Sequence, residues 1–382
     1  MGWLMPNNKN DKSYDHIGYV VSTLRATGPS RQLLNLARRL ERRRFVPHVL
    51  TLSPKENNSL RPAFEEAGVA VESLALGRLA GLFRARAAIA HWVRQRGIDL
   101  LHTQGVRADS LVAGLRDRPR LATLRNIPFL DYPLAYGVAG RVLAWYHLRS
   151  LRRFDRVAVV SEASRMMLSG TGLQFEVVRN GVDIDWFQPV EDAVEKAQLR
   201  ADLGLFDGLV IVTTGGLSQR KNQAVAIEAV RQLPGAELVI VGEGGCRPTL
   251  ELLCGEGRCR LVGRQADVRP WLRAADLFVS TSRAEGMPNA VMEAMACGLP
   301  AVLSDIPPHR EIWDADGGRS AVLVDGGDPG AVAGGIQAFT GQLKNAGGDA
   351  RALMVEDFSA DVTARRYQSL YQDMLSDPDK GA

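Results

Sequence analysis

Two doubly wound α/β domains in series, each a parallel sheet covered by helices, are what this sequence of 382 residues predicts. Three observations lead there. From His16 onward, short β-branched runs alternate with longer stretches of helical period, the pattern of βα units joined into a parallel sheet. The alternation occurs twice, interrupted at 180–189, where Asn180-Gly181 and then Asp185-Trp186-Phe187-Gln188-Pro189 break both periodicities. The length, finally, has room for about two domains of ~150 residues each.

In chain order, strands are expected at 17–22, 47–52, 69–74, 99–102, 121–124, 157–160 and 176–178 in the first half. In the second half they are expected at 209–213, 237–241, 260–262, 277–280, 301–304 and 321–324. The resulting division is a polar, flexible N-terminus at 1–15, an N-terminal Rossmann-like domain at 16–188, a C-terminal Rossmann-like domain at 189–356, and a final helix and tail at 357–382. That helix begins at a cap-like Ser359-Ala360-Asp361 and offers Val362, Tyr367, Leu370, Tyr371 and Met374 for packing, which suits a crossing back to the first domain. Two such sheets facing across a cleft would bind ligands at the C-terminal edges of their strands.

Composition narrows the function classes. With 46% hydrophobic and 24% charged residues the chain is neither disordered nor membrane-spanning, and no apolar run reaches the ~20 residues a span requires. The polar start reads as lacking a signal peptide, so a cytoplasmic location is expected. Cys246, Cys254, Cys259 and Cys297 form no Cys-x-x-Cys pair and have no His at ligand spacing, and read as free thiols. Charge is split unevenly: residues 1–188 carry 28 Lys and Arg against 16 Asp and Glu, a net of +12, within a total of +4. No nucleic-acid module accompanies this excess. The arginines cluster at 38–44 and again as Arg141, Arg149, Arg152, Arg153 and Arg156, interleaved with Leu143, Trp145, Tyr146, Leu148 and Leu151. An interfacial helix on an anionic membrane and a plain solvated face fit that pattern equally. The first predicts that charge reversal at Arg149, Arg152 and Arg153 abolishes vesicle binding.

The segment richest in chemistry runs from Ser282 to Pro300, directly after the strand at 277–280. Pro288 suits the first turn of a helix and Gly298 with Pro300 its end. The helix N-terminus at Gly286, Met287, Pro288 and Asn289 would offer free N–H groups and a positive dipole end to a phosphate. Glu285 precedes that helix and Glu293 lies more than a turn inside it, so the two carboxylates can accept hydrogen bonds from hydroxyls on different parts of one extended ligand. Capping by Glu285 and simple exposure of Glu293 is the plainer alternative. After the strand at 209–213 comes Thr214-Gly215-Gly216-Leu217-Ser218-Gln219-Arg220-Lys221-Asn222, a Gly-rich loop opening another helix. Its spacing is not that of a Walker A motif. Arg220 and Lys221 in the same cleft would meet a diphosphate, and a cation about 4 Å from such a charge is worth about 4 kcal/mol at an effective dielectric of 20. Val241-Gly242-Glu243-Gly244-Gly245 only partly matches a dinucleotide fingerprint, since Arg247 stands where the last glycine belongs.

At these residues the chain resembles the retaining, group 1 family of glycosyltransferases, over about 16–375. Glu285 followed after seven residues by Glu293 matches the family's paired glutamates, and Asn180-Gly181-Val182-Asp183 its interdomain segment. Gly28-Pro29-Ser30-Arg31-Gln32 resembles its N-terminal glycine loop, and Leu101-His102-Thr103-Gln104-Gly105 its second N-domain loop. The resemblance implies a GT-B fold and a nucleotide-diphosphate sugar, with UDP or GDP as base carrier, acting as co-substrate without a metal or other cofactor. It implies contact of Glu285 with the donor sugar, Glu293 with the ribose and Lys221 with the diphosphate, Gly286, Met287 and Pro288 near the phosphate, Gly28 close to the donor, and His102 near sugar or acceptor. The stretch 123–137 is similar to that of transferases building bacterial surface polysaccharide or lipopolysaccharide, which implies a glycan or lipid-linked acceptor and a place on the cytoplasmic face of the inner membrane. One departure stands out: the family usually has Arg where this chain has Gly216, so Arg220 would substitute, or the chain is a degenerate binding subunit without activity.

Overall fold

The computed structural model describes residues 14–54, 57–77, 81–255 and 258–376, so most of the expected N-terminal tail lies outside the described residues. The chain forms two compact units. The first comprises residues 1–160, 167–178 and 364–382, and the second residues 161–166 and 179–363. The passage between them falls at Val178–Arg179, ahead of the Asn-Gly break, and residues 161–166 from within the first half belong to the second unit.

The first unit runs β1 (Asp15–Val21), α1 (Gly28–Arg39), β2 (Phe45–Thr51), α2 (Arg61–Glu66), β3 (Ala70–Ser73), α3 (Gly81–Arg96), β4 (Leu100–Gln104), α4 (Val106–Val112), β5 (Arg120–Leu124), α5 (Pro128–Leu151), β6 (Arg156–Val159) and β7 (Glu176–Val177), and between the last two strands lies α6 (Glu162–Leu168), most of which belongs to the second unit. Its sheet order is β3-β2-β1-β4-β5-β6-β7, and every strand pair is parallel. The strands are apolar almost without alternation because both faces are covered. On one face Ile17, Tyr19 and Phe45 pack with Leu33 and Leu36 of α1. On the other, Val20, Leu50 and Leu101 pack with Ile89, Trp92 and Val93 of α3.

The second unit runs α7 (Ala193–Leu203), β8 (Leu209–Thr214), α8 (Gln223–Arg231), β9 (Ala236–Val241), α9 (Arg247–Cys254), β10 (Cys259–Gly263), α10 (Arg269–Ala274), β11 (Leu277–Ser280), α11 (Asn289–Ala296), β12 (Ala301–Ser304), α12 (Pro307–Asp316), β13 (Ala321–Val324), α13 (Pro329–Phe339) and α14 (Leu343–Glu356). Its order is β10-β9-β8-β11-β12-β13, again parallel throughout. The last helix, α15 (Ala360–Ser376), starts in the second unit and returns to the first, where Tyr367, Tyr371 and Met374 complete the core beside Tyr19 and Phe45.

The cysteine reading needs correction. Cys254 at the end of α9 and Cys259 at the start of β10 are joined as a disulfide with Cα atoms 5.3 Å apart, and only Cys246 and Cys297 are free. The turn between α9 and β10 brings the two within bonding range, a consequence of where the elements end that no spacing motif encodes.

Candidate functional site

In an open parallel sheet the loops diverge where the strand order reverses, leaving a crevice at the C-terminal edge. In the second unit that point lies between β8 and β11. The loop after β8 carries Gly216, Arg220 and Lys221, and the loop after β11 carries Glu285, Gly286, Met287 and Pro288. The two loops are tied together. Arg283 N–H donates to the Arg220 carbonyl (2.8 Å), Thr281 Oγ1 to the Asn222 carbonyl (2.9 Å), and the Arg283 guanidinium to Asn222 Oδ1 (3.2 Å). Asn222, in left-handed conformation at φ 53°, donates in turn to the Gly326 carbonyl at 3.0 Å.

Within this frame Glu285, its side chain only 7% exposed, meets Lys221 Nζ with Oε1 at 2.7 Å and Arg220 with Oε2 at 3.1 Å. Burial pushes the carboxyl up. The charges of Lys221 and Arg220, with hydrogen bonds from Lys221 and Ser282, outweigh burial and hold it below the ordinary value. The trio is a buried carboxylate with two cations, one positive charge in excess, and the carboxylate keeps lone pairs to accept from a hydroxyl. Arg220 also donates to the Ala284 carbonyl (2.9 Å). Gly216 is exposed, and a Cβ there would meet nothing nearer than the Glu243 carbonyl at 3.9 Å, so its lack of a side chain is not a steric requirement.

Two of the glycines of 242–245, Gly242 and Gly244, have a packing role. A Cβ at Gly242 would lie 1.8 Å from the Gly215 carbonyl, and one at Gly244 would lie 2.2 Å from that of Leu217. Only bare backbone after β9 can stack on the loop after β8 this closely.

Helix α11 opens one residue later than expected. Pro288 is the capping residue and Asn289 the first helical one. Asn289 N–H donates to the Met287 carbonyl (3.0 Å) and its Oδ1 accepts from Asn180 Nδ2 (3.0 Å). The Gly286 carbonyl accepts from Ser161 Oγ at 2.8 Å. Among the described residues, no backbone carbonyl takes the N–H of Gly286 or Met287, which leaves two donors in the turn that follows Glu285. Glu293 sits half-buried on α11, beside Cys297, whose thiol is pushed up to about 12 by burial and by that carboxylate.

Two residues here, His309 and Ser161, lie outside every motif of the sequence. Fully buried His309 on α12 binds the Ser304 carbonyl through Nδ1 (2.8 Å), and Ser304 Oγ donates to the Ser282 carbonyl (2.5 Å), so a polar layer underpins the Glu285 loop. Burial carries this imidazole down to about 4, against the opposing pull of the Ser304 carbonyl and Glu285. Ser161 and Asn180, from the segments where the chain changes unit, hold Gly286 and Asn289. A cavity of about 520 Å³ opens beside the cluster, lined by Asn222, Ser282, Arg283, Asp305 and Gly326 among others.

The first unit holds Gly28 and His102. Gly28 opens α1, after β1 at that sheet's own reversal between β1 and β4. His102 lies inside the sheet rather than on the loop after it. It is fully buried in β4, Nδ1 engages Tyr371 Oη (2.7 Å) and Nε2 engages Thr123 Oγ1 (2.8 Å), and burial with the nearby Arg125 charge takes it down to about 3. Both nitrogens are engaged, Nδ1 on α15 and Nε2 on the neighbouring strand β5, as in a core histidine.

Comparison with known proteins adds a family context. The pattern described as "Glycosyl transferases group 1" matches residues 208–341, and that described as "Glycosyltransferase Family 4" matches residues 26–186. The lipopolysaccharide core biosynthesis glycosyltransferase LpsE of Rhizobium meliloti is 35% identical over 140 residues, 36% of this chain and 40% of that protein. The UDP-Gal:alpha-D-GlcNAc-diphosphoundecaprenol alpha-1,3-galactosyltransferase of Escherichia coli is 33% identical over 147 residues, 35% of this chain and 37% of that protein. The chain thus spans about two fifths of the length of these relatives. Anabaena HepE, solved in complex with UDP-glucose, superposes with a TM-score of 0.78 at 22% identity, covering 94% of this chain and 99% of that one. The second unit thus matches the group 1 pattern and the first the Family 4 pattern, and the fold is the GT-B fold of two Rossmann-like sheets.

Proposed function

We propose that the chain is a retaining glycosyltransferase that takes a sugar from a nucleoside diphosphate and passes it to a glycan or lipid-linked acceptor. The observation that carries this reading is the Glu285 carboxylate clamped between Lys221 and Arg220 at the strand-order reversal, with the free amides of Gly286 and Met287 beside it. Departure of a nucleoside diphosphate puts growing charge on its phosphate oxygens. Lys221, Arg220 and the two amides are donors already in place for it, which is electrostatic preorganisation and supplies the charge compensation a metal would otherwise give. Glu285 accepts from the donor sugar's hydroxyls, Glu293 from the ribose, and Pro288 with Asn289 shapes the phosphate-proximal turn. Loss of the diphosphate ahead of attack leaves an oxocarbenium-like centre, and attack from the same face gives retention.

UDP heads the candidate carriers, supported by the UDP-glucose seen with HepE, and GDP follows. The Escherichia coli relative, by its name, acts on a diphosphoundecaprenol-linked sugar, which supports a lipid-linked acceptor in surface polysaccharide or lipopolysaccharide synthesis at the cytoplasmic face of a membrane. Gly216 favours one other reading, a donor-binding subunit without turnover.

A thermal-shift screen against UDP-, GDP-, ADP- and CMP-sugars, with Lys221→Ala and Glu293→Ala alongside, tests the proposal. A selective shift absent from both variants supports it, and no shift with any sugar nucleotide in folded protein sinks it. Slow donor hydrolysis by the protein that shifts would separate the enzyme from the binding subunit.

A further inference from the structure

Helix α5 is two helices rather than one, broken at Gly137, whose φ of 58° and ψ of −134° lie outside the helical region. The break makes a hairpin, and its base is firmly held. Tyr132 Oη on the first arm meets His147 Nδ1 on the second at 2.8 Å, and His147 Nε2 meets Asp109 of α4 at 2.6 Å, all buried. A Cβ at Gly140 would fall 2.1 Å from the Tyr132 carbonyl, so the arms touch backbone to backbone. The tip is the opposite. Leu134, Ala135, Tyr136, Gly137, Val138 and Ala139 are all exposed, Leu134 at 80% and Val138 at 79%.

From the tip an exposed apolar stripe continues down the second arm at helical spacing through Val142 and Trp145, each about two-thirds exposed, and ends at Arg149, whose guanidinium lies over the Trp145 ring. No acidic residue occurs between Asp131 and Asp155, while Arg141, Arg149, Arg152 and Arg153 are exposed on the second arm and just beyond it. Leucine and valine at four-fifths exposure on a rigidly based hairpin are a surface built to be covered. The arginines say by what. A second copy would set like charges against each other, whereas an anionic bilayer takes the apolar stripe into its acyl boundary and the guanidiniums into its headgroups.

We infer that the α5 hairpin docks the protein on an anionic phospholipid surface, with Leu134, Tyr136, Val138, Val142 and Trp145 inserted in the interface and Arg141, Arg149 and Arg153 at headgroup level. This moves the membrane contact from an arginine cluster to a hydrophobic tip with a basic collar. It rests on the transferase reading only for the acceptor's location, since the surface itself owes nothing to the Glu285 site.

Co-sedimentation of the full chain with phosphatidylcholine vesicles, with and without phosphatidylglycerol, tests it, using Leu134→Ser with Val138→Ser for the tip and Arg149→Glu with Arg153→Glu for the collar. The expected result is binding only where phosphatidylglycerol is present, weakened about tenfold or more by either pair, and by added salt. Nucleotide thermal shifts should be unchanged in both pairs, so failure of the donor reading and failure of docking are separately visible. Absence of binding by the unaltered chain, binding indifferent to the tip pair, or a dimer that the tip pair dissolves would each overturn the inference, the last assigning the face to a second copy.

Discussion

Glu285 is the residue on which the chemistry turns, because its charge and its two cations have different jobs in the proposed reaction. Glu285→Gln preserves shape and removes the charge that engages Lys221 and Arg220. UDP should then bind as well as before or better, with transfer lost, because the cations are freed for the diphosphate while the sugar loses its charged acceptor. Equal loss of binding and turnover would show that Glu285 only organises the site. Lys221→Ala does the reverse: it removes a charge-assisted contact, weakening UDP about ten- to a hundredfold by calorimetry, and leaves a buried carboxylate without its nearer cation, lowering stability as well. Gly216 offers the gain-of-function counterpart, since a side chain there finds open space. Gly216→Arg should tighten UDP several-fold, and an unchanged affinity would mean that Arg220 already fills that role.

At the scale of elements, the strands were legible and their joins were not. All thirteen expected strands exist, in two parallel sheets of seven and six, because a strand buried on both faces must be an unbroken apolar run and such runs show in a single sequence. The Gly-rich loop and the segment around Glu285 were legible too, each being continuous in sequence. Ser161 and His309 were not, because a serine on the Gly286 carbonyl and a histidine beneath the Glu285 loop are long-range contacts that leave no periodic trace. His102 misled for the same reason: its partners Tyr371 and Thr123 are remote in sequence, and only they reveal it as core. The α9–β10 disulfide likewise depends on where two elements end. It closes so short a loop that the chain-entropy argument assigns it about 2 kcal/mol. Under denaturing, non-reducing conditions a thiol-blocking reagent should label two cysteines by mass spectrometry, and four after reduction, whereas four in both states would refute the bond. The segments where the chain changes unit belong to this scale as well. Ser161→Ala leaves the Gly286 carbonyl without its donor, so the apparent affinity for the sugar nucleotide should fall several-fold while the melting temperature moves little. An unaltered affinity would mean that the turn before α11 needs no such brace.

Three imidazoles are depressed by the fold, His102 and His48 in the first unit and His309 in the second, and together they shape how the molecule responds to acid. All three are depressed chiefly by burial from an ordinary value of 6.5, His102 to about 3 and His48 and His309 to about 4. In the native protein they stay neutral as pH falls below 6.5, while in the unfolded chain they take up protons. Stability from this source is therefore complete above pH 6.5 and declines as pH falls toward the folded values, by about 1.4 kcal/mol per pH unit for each histidine. Glu285 works in the same direction at lower pH, its carboxyl being held below the ordinary value, so its contribution is present above the usual carboxylate range and disappears as pH drops through the folded value. Between pH 6.5 and about 4.5 the histidines thus dominate. Urea titrations at steps through that window should show the unfolding free energy dropping with a slope near two protons for the first unit and near one for the second. His309→Asn should flatten the slope for the second unit alone, and His102→Asn should roughly halve that for the first, where His48 remains, whatever each substitution costs at neutral pH, because the slope counts protons and not contacts. Slopes unchanged from the parent chain in both variants would mean that the protons are taken up elsewhere and that His102 and His309 are not held neutral by the fold.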